Sequence, residues 1–213
     1  MDYFIPIFIP FAYKNTQNYA NICHVIKIRT LHKNIRKACK YNLYKEFKTM
    51  IKILFICHGN ICRSPMAEFI LKDMVEKQGI ADHFHIESAA TSTEEIWNGV
   101  GNPVYPPAKE ILAKHGIDCN GKRARQIKSD DYENFDFLIA MDDNNLRNMR
   151  RIWAEDSKQK IHKMLEYADE NRDVADPWYT GDFQKTWDDI YRGCEGLLNQ
   201  ITPQPRSQKA NIH

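Results

Sequence analysis

The sequence predicts a three-layer α/β fold, in which a four-stranded parallel sheet is flanked by helices and carries a phosphate-binding loop after its first strand. Three observations predict it. Apolar, strand-like runs alternate with helix-like stretches from Ile51 to Ile201. The first run, Ile51 to Cys57, is apolar along nearly its whole length, as a parallel strand covered on both faces requires. A short glycine-containing loop follows it at once and opens into a helix.

The elements follow in order. Beyond the loop, Ser64 and Pro65 supply a capping hydroxyl and an N1 proline for a helix over 66–75 that stops by Gly79. A strand over 83–88 comes next, then a helix over 107–115 closed by Gly116, and a strand over 137–141. A helix over 143–153, a shorter strand within 161–165 and a helix over 187–201 complete the alternation. In the last helix Ile190, Leu197, Leu198 and Ile201 form a core-facing stripe ahead of Pro203. Such a chain winds right-handedly, and its ligands bind beyond the carboxyl ends of the strands.

Composition bounds the rest. The chain has 213 residues, 43% hydrophobic and 27% charged, which fits a folded domain with an appendage and argues against wholesale disorder. The net charge of +2 conceals two parts of opposite sign: residues 1–49 carry nine Lys or Arg against Asp2 and Glu46, and the remainder carries 21 bases against 26 acids. The acidic main body excludes a nucleic-acid surface. The expected organisation is an N-terminal extension over 1–49, a catalytic domain over 50–202 and a C-terminal tail over 203–213.

The extension opens on a short apolar stretch with Pro6 and Pro10, lacks the basic start of a signal peptide, and shows no sustained period. It reads as disordered or as translation from a misplaced start codon, with a membrane-surface arm or a partner-binding segment as alternatives. No run reaches the length of a membrane span, so no membrane association is expected of the core domain. The six cysteines read as thiols of a reducing compartment, which places the protein in the cytoplasm.

Between the first strand and helix, Cys57-His58-Gly59-Asn60-Ile61-Cys62-Arg63-Ser64 occupies the position where backbone N–H groups and a helix N-terminus converge on an anion. Gly59 and Asn60 tolerate the left-handed angles that turn several N–H groups inward. The field that holds a phosphate also stabilises a thiolate at Cys57, a strong nucleophile near neutral pH. Arg63 closes the ring with two parallel donors for phosphate oxygens, and Ser64 offers its hydroxyl to the Cys57 sulfur. Cys57, His58 and Cys62 lie close enough to suggest a metal site, yet no second ligand pair at zinc-like spacing follows; neither metal nor cofactor is expected.

This loop, with Pro65 after it, resembles the signature of the low-molecular-weight protein tyrosine phosphatase family. Further matches are Ser88-Ala89-Ala90-Thr91, Ala124-Arg125-Gln126, Met141-Asp142 with Asn145, and Asp176-Pro177-Trp178-Tyr179, so that the resemblance spans about 50–201. It implies hydrolysis of phosphotyrosine and small aryl phosphates through a phosphocysteine on Cys57, with Arg63 binding phosphate and Asp176 as general acid and base. It also implies that Asn60 and Ser88 hold the loop, and that Trp97, Trp178 and Tyr179 wall the pocket. His58, Gly59, Asn60, Ile61, Cys62 and Ser64 complete the implied substrate site, and Cys62 is the implied disulfide partner of an oxidised Cys57. Implied partners are phosphotyrosine proteins, tyrosine kinases among them, with phosphate and other oxyanions as inhibitors.

Related readings diverge at particular residues. A thioredoxin-linked arsenate reductase needs a later cysteine pair, and Cys119 has no partner between Asn120 and Gly193. Protein arginine phosphatases commonly carry Thr where this chain has Ile61. A non-hydrolysing phosphate-binding module has no use for Cys57, Arg63 and Asp176 together. Where some family members have His, this chain has Gly121-Lys122-Arg123.

Overall fold

The computed structural model describes residues 50–202; the expected extension over 1–49 and tail over 203–213 lie outside the described residues. β1 (Ile51–Cys57) sits inside a four-stranded parallel sheet of order β2–β1–β5–β6, formed with β2 (Phe84–Ala90), β5 (Phe137–Ala140) and β6 (Ile161–Lys163). Its central place explains its unbroken apolar run, since Ile53, Leu54, Phe55 and Ile56 are all fully buried. β1 projects beyond β5 in register, from Ile53 against Phe137 to Ile56 against Ala140, so Cys57 stands at the carboxyl edge where the sheet opens.

Helices cover both faces. On one, α1 (Arg63–Gln78) packs on β1 and β2 and against α6 (Phe183–Ile201), with α2 (Pro106–Lys114) beside them. On the other, Leu54, Ile56, Leu138 and Ala140 of the sheet pack against Met149 and Trp153 at α4 (Asp143–Ile152), together with Tyr132 and Phe135 around α3 (Asp131–Asn134). A two-stranded antiparallel hairpin, β3 (Ile96–Trp97) with β4 (Val100–Gly101), projects after β2, and a short α5 (Pro177–Thr180) precedes α6. No helix among the described residues is long and apolar enough to cross a membrane.

Several boundaries differ from the sequence pattern, each for a physical reason. α1 starts at Arg63; Cys62 holds the N-cap position without a side-chain cap, so Ser64 is not the capping residue expected. α6 begins four residues earlier than expected because Asp182 caps it, accepting from Lys185 N at 2.8 Å. The β3–β4 hairpin turns on Asn98 and Gly99, with φ of 49° and 77°, the pair a type I′ turn favours. His115, just beyond α2, stacks on Trp187 with ring centroids 3.8 Å apart.

α6 approaches the turn over 164–168 so closely that a Cβ on Gly196 would lie 1.8 Å from the Tyr167 carbonyl oxygen. Backbone cannot yield there as a side-chain tip would. By contrast Gly79, the left-handed cap of α1, has open space around it. In urea unfolding, Gly196→Ala is expected to lose stability by about 3 kcal/mol, and Gly79→Ala by about 1 kcal/mol from backbone strain alone. Equal losses would refute the close approach as the cause.

Candidate active site

The loop between β1 and α1 is shaped by Asn60. Its φ of 58° is left-handed, whereas Gly59, expected to share that role, lies outside the left-handed region. Gly59 instead faces Glu95, whose Cγ would stand 2.9 Å from an added Cβ. Asn60 Nδ2 donates to Ser64 Oγ at 2.8 Å and to Ser88 Oγ at 2.7 Å, while Oδ1 accepts from Arg125 N at 3.1 Å. One buried amide therefore ties the loop to α1, to β2 and to the segment around Arg125.

Behind it the network continues. Ser88 Oγ donates to Glu68 Oε2 at 2.6 Å, and Glu68 also receives Lys72 and Lys122, at 2.5 and 2.7 Å. Burial pushes the Glu68 carboxyl up, but the Lys122 charge and the donors around it outweigh burial and hold it below the ordinary carboxylate range. Lys122, with one carboxylate against its own burial, sits below the ordinary lysine range. Lys122, from the Gly121-Lys122-Arg123 segment, thus reaches under the loop to Glu68 and to the Ser88 carbonyl.

Cys57 Sγ lies 3.0 Å from Ser64 Oγ and 3.3 Å from Asn60 N. The Ser64 hydroxyl, which accepts from Asn60 Nδ2, faces both this sulfur and Ala89 O, the latter at 3.4 Å. Cys62 is different. Burial, reinforced by the Cys57 charge, pushes its thiol up to about 12, so it stays protonated beside Cys57. Among the described residues, no acceptor takes the N–H of Gly59, Ile61 or Cys62, which leaves these donors to an anion in the cradle.

Arg63, buried at the first position of α1, is held from both sides: Nη1 donates to Asp142 Oδ2 and Nη2 to Asp176 Oδ2, each at 2.6 Å. Burial opposes its charge, yet Cys57, Asp142 and Asp176 keep the guanidinium above its ordinary range. Asp142 also caps α4 through Asn145 N at 2.6 Å, which fixes the anchoring carboxylate. Asp176 caps α5, accepting from Trp178 N at 3.0 Å with its other oxygen.

A cavity of about 770 Å³ joins these parts. Cys57, His58, Gly59, Ile61, Cys62, Arg63, Asp176, Trp178 and Tyr179 line it, whereas Asn60 and Ser64 lie behind the loop. Trp97 does not reach the cavity: it sits 70% exposed on the β3–β4 hairpin, and the same segment contributes Glu94 and Glu95 instead. His58 pairs with Glu94 at 2.9 Å. Sequence reasoning gave no role to Asp142, Glu68 or Lys122. An Asp directly after a buried strand and ahead of a helix was a legible capping signal for Asp142; the other two had none.

Comparison with known proteins points to one family. The family model for low molecular weight phosphotyrosine protein phosphatase matches residues 52–207. The chain is 40% identical over 154 residues to the low molecular weight protein-tyrosine-phosphatase YfkJ of Bacillus subtilis, covering 71% of this chain and 96% of that protein. It is 37% identical over 153 residues to a low molecular weight phosphotyrosine protein phosphatase of Gallus gallus, covering 70% and 94%. The crystal structure of YfkJ superposes with a TM-score of 0.68 at 39% identity over 72% of this chain and 95% of that one. That of a Drosophila arginine phosphatase gives 0.64 at 30% identity over 70% and 97%.

The Glu68 carboxylate carries a pH signature. Folding lowers its pKa, so its contribution is fully present above the unfolded value near ~4.3 and lost as pH falls through the folded value. Glu68→Gln is expected to be less stable than the parent at pH 6, by about 1–3 kcal/mol, with the gap closing as pH falls toward 3. Chemical denaturation across that range checks it; a gap independent of pH would refute the ionised role.

Proposed function

The chain belongs to the low-molecular-weight protein tyrosine phosphatase family and is a phosphoric monoester hydrolase, and on that premise we propose that it hydrolyses phosphotyrosine through a phosphocysteine on Cys57. The observation that carries this reading is the meeting, in one cavity, of a hydrogen-bonded Cys57 sulfur, unclaimed loop N–H groups, a buried Arg63 and a carboxyl group on a separate loop, Asp176.

The phosphate dianion enters the cradle and takes the loop N–H groups and Arg63 Nη2 from Asp176, while Asp142 keeps Nη1 and so fixes the plane of the guanidinium. Cys57 Sγ attacks phosphorus in line as the P–O bond to the phenol breaks. Asp176, released and protonated, delivers its proton to the phenolic oxygen. Water then attacks the phosphocysteine, Asp176 takes its proton, and phosphate leaves with the thiolate restored. Trp178 and Tyr179 line the same cavity as Cys57 and offer their rings to the phenyl ring of a phosphotyrosine, which a phosphoserine lacks. Peroxide would convert the Cys57 thiolate to a sulfenic acid, which Cys62 on the same cavity captures as a disulfide with loss of water. The substrates are cytoplasmic phosphotyrosine proteins, tyrosine kinases included, and free phosphate or other oxyanions compete for the cradle.

A phosphoarginine substrate is the second reading, favoured by the likeness to a Drosophila arginine phosphatase. Ile61, at the cavity, places an apolar side chain where that substrate's guanidinium would need polar partners. With EDTA present, the protein is expected to turn over p-nitrophenyl phosphate and phosphotyrosine peptide, and to leave phosphoserine peptide intact. Cys57→Ser is expected to abolish turnover, Asp176→Asn to lower kcat/KM for phosphotyrosine by about 10²–10⁴, and Arg63→Lys by about 10²–10³. Preference for phosphoarginine would move the chain to the second reading. Absence of any turnover would overturn both.

A further inference from the structure

The segment that carries Asp176 is pinned from the side away from the cavity. Asp189, fully buried on α6, receives Arg172 as a two-pronged fork, Nη1 to Oδ2 at 2.8 Å and Nη2 to Oδ1 at 2.7 Å. The same carboxylate accepts from Ala175 N at 3.2 Å, immediately before Asp176. Thr186 Oγ1, one turn earlier on α6, donates to Ala175 O at 2.9 Å, and Val174 N donates to Met141 O at 2.9 Å beside Asp142. The two positions ahead of the proposed acid, Val174 and Ala175, are thereby fixed to the end of β5 at Met141 and to α6.

The charges around Asp189 are stacked in its favour. Lys185 and Arg192, one turn before and after it on α6, donate to its Oδ1 at 2.5 and 3.0 Å, and Arg172 and Arg192 are shared with Glu170. Burial would raise the Asp189 carboxyl, but Arg172 and Lys185 outweigh it and hold it far below the ordinary carboxylate range. A buried carboxylate of this kind is costly to break and gives little net stability over an apolar replacement. Its geometry has another use: it converts the position of α6 into the position of Ala175 and hence of Asp176.

We propose that Asp189, acting through Arg172 and the Ala175 amide, is a positioning residue for the proton transfer of Asp176. The inference rests on the function proposed above. Its consequence is selective, because an acid that delivers its proton from the wrong place hurts the expulsion of a poor leaving group and spares that of a good one.

The test measures kcat/KM for phosphotyrosine, a poor leaving group, and for dinitrophenyl phosphate, a good one, in the full chain. Turnover of dinitrophenyl phosphate by the wild type, lost in Cys57→Ser, is read first; its absence would overturn the reading of the site and the inference with it. In Asp189→Asn, kcat/KM for phosphotyrosine is expected to fall about tenfold or more, and for dinitrophenyl phosphate less than about threefold. In an Asp176→Asn background the same substitution is expected to change phosphotyrosine turnover less than about twofold, since two residues acting through one step are not additive. Arg172→Gln, a partly exposed site, is expected to repeat the selective loss and decides the matter where Asp189→Asn does not fold. Equal losses on both substrates, an undiminished effect in the Asp176→Asn background, or folded variants with wild-type turnover would each overturn the proposal.

Discussion

A loop that turns several N–H groups toward one empty point must find its support elsewhere, because those donors are withheld from the protein's own acceptors. Asn60 supplies that support. Its left-handed backbone costs about 1–2 kcal/mol relative to a regular residue, and its buried side chain fills three hydrogen bonds to Ser64, Ser88 and the Arg125 amide. Each is worth about 0.5–1.5 kcal/mol net, but leaving a partner unsatisfied in this buried place costs about 1–3 kcal/mol. The bonds therefore outweigh the strain, and the arrangement resists loosening more than it adds stability. The groups nearer the cavity depend on it: the Ser64 oxygen that lies 3.0 Å from the Cys57 sulfur is held in place by the Asn60 amide.

The charge balance follows from the same demand. A cradle built of donors, with an arginine inside it, is unstable while empty unless something negative stands near. Asp142 and Asp176 both reach Arg63 at 2.6 Å, yet their settings differ. Asp142 is bound into the N-terminus of α4 and is a fixed partner, so the guanidinium keeps its orientation through a reaction cycle. Asp176 is more exposed and sits on a short helix cap, so it can leave when a phosphate competes for the same prong. Two carboxylates on one guanidinium thus divide into an anchor and a place-holder, and the place-holder is the group whose release chemistry requires.

How much of this was legible in the sequence varies with the kind of signal. The central strand, the alternating elements and the Cys57-to-Ser64 loop were legible because burial on both faces forces an unbroken apolar run and because an anion site has a fixed place in such a fold. Ser64 was given two roles, and the structure keeps one: its hydroxyl lies 3.0 Å from the Cys57 sulfur, as its place in the loop suggested, while Cys62 and not Ser64 holds the N-cap position of α1. Gly59 was given Asn60's backbone role because glycine is the usual left-handed residue, whereas here the side chain of Asn60 is needed as well. Asn98-Gly99 was a legible hairpin signal that went unread, and with it the outward placement of Trp97. Glu68, Lys122 and Asp189 were beyond reach, since a charged residue on a helix reads as a solvated face until its neighbours on other elements are known.

The molecule therefore separates two requirements that pull against each other. The cradle must be rigid, because the donors act only where charge develops, and a shift of an ångström removes their effect. On the proposed mechanism the acid must move, because the same carboxyl gives a proton in one step and takes one in the next. Rigidity is met locally, by a buried polar network under the loop whose members all find partners. Mobility is met by a segment that lines one wall of the cavity from Asp173 to Tyr179 and is fixed at Val174 and Ala175 to Met141, just beyond β5, and to α6. Fixing the segment just before the acid, rather than at the acid, leaves the side chain free to exchange Arg63 for a phenolic oxygen while its backbone stays in place. A carboxylate buried on the far helix is suited to that task because a charge-assisted fork resists both stretching and rotation, where a single neutral hydrogen bond would resist only stretching.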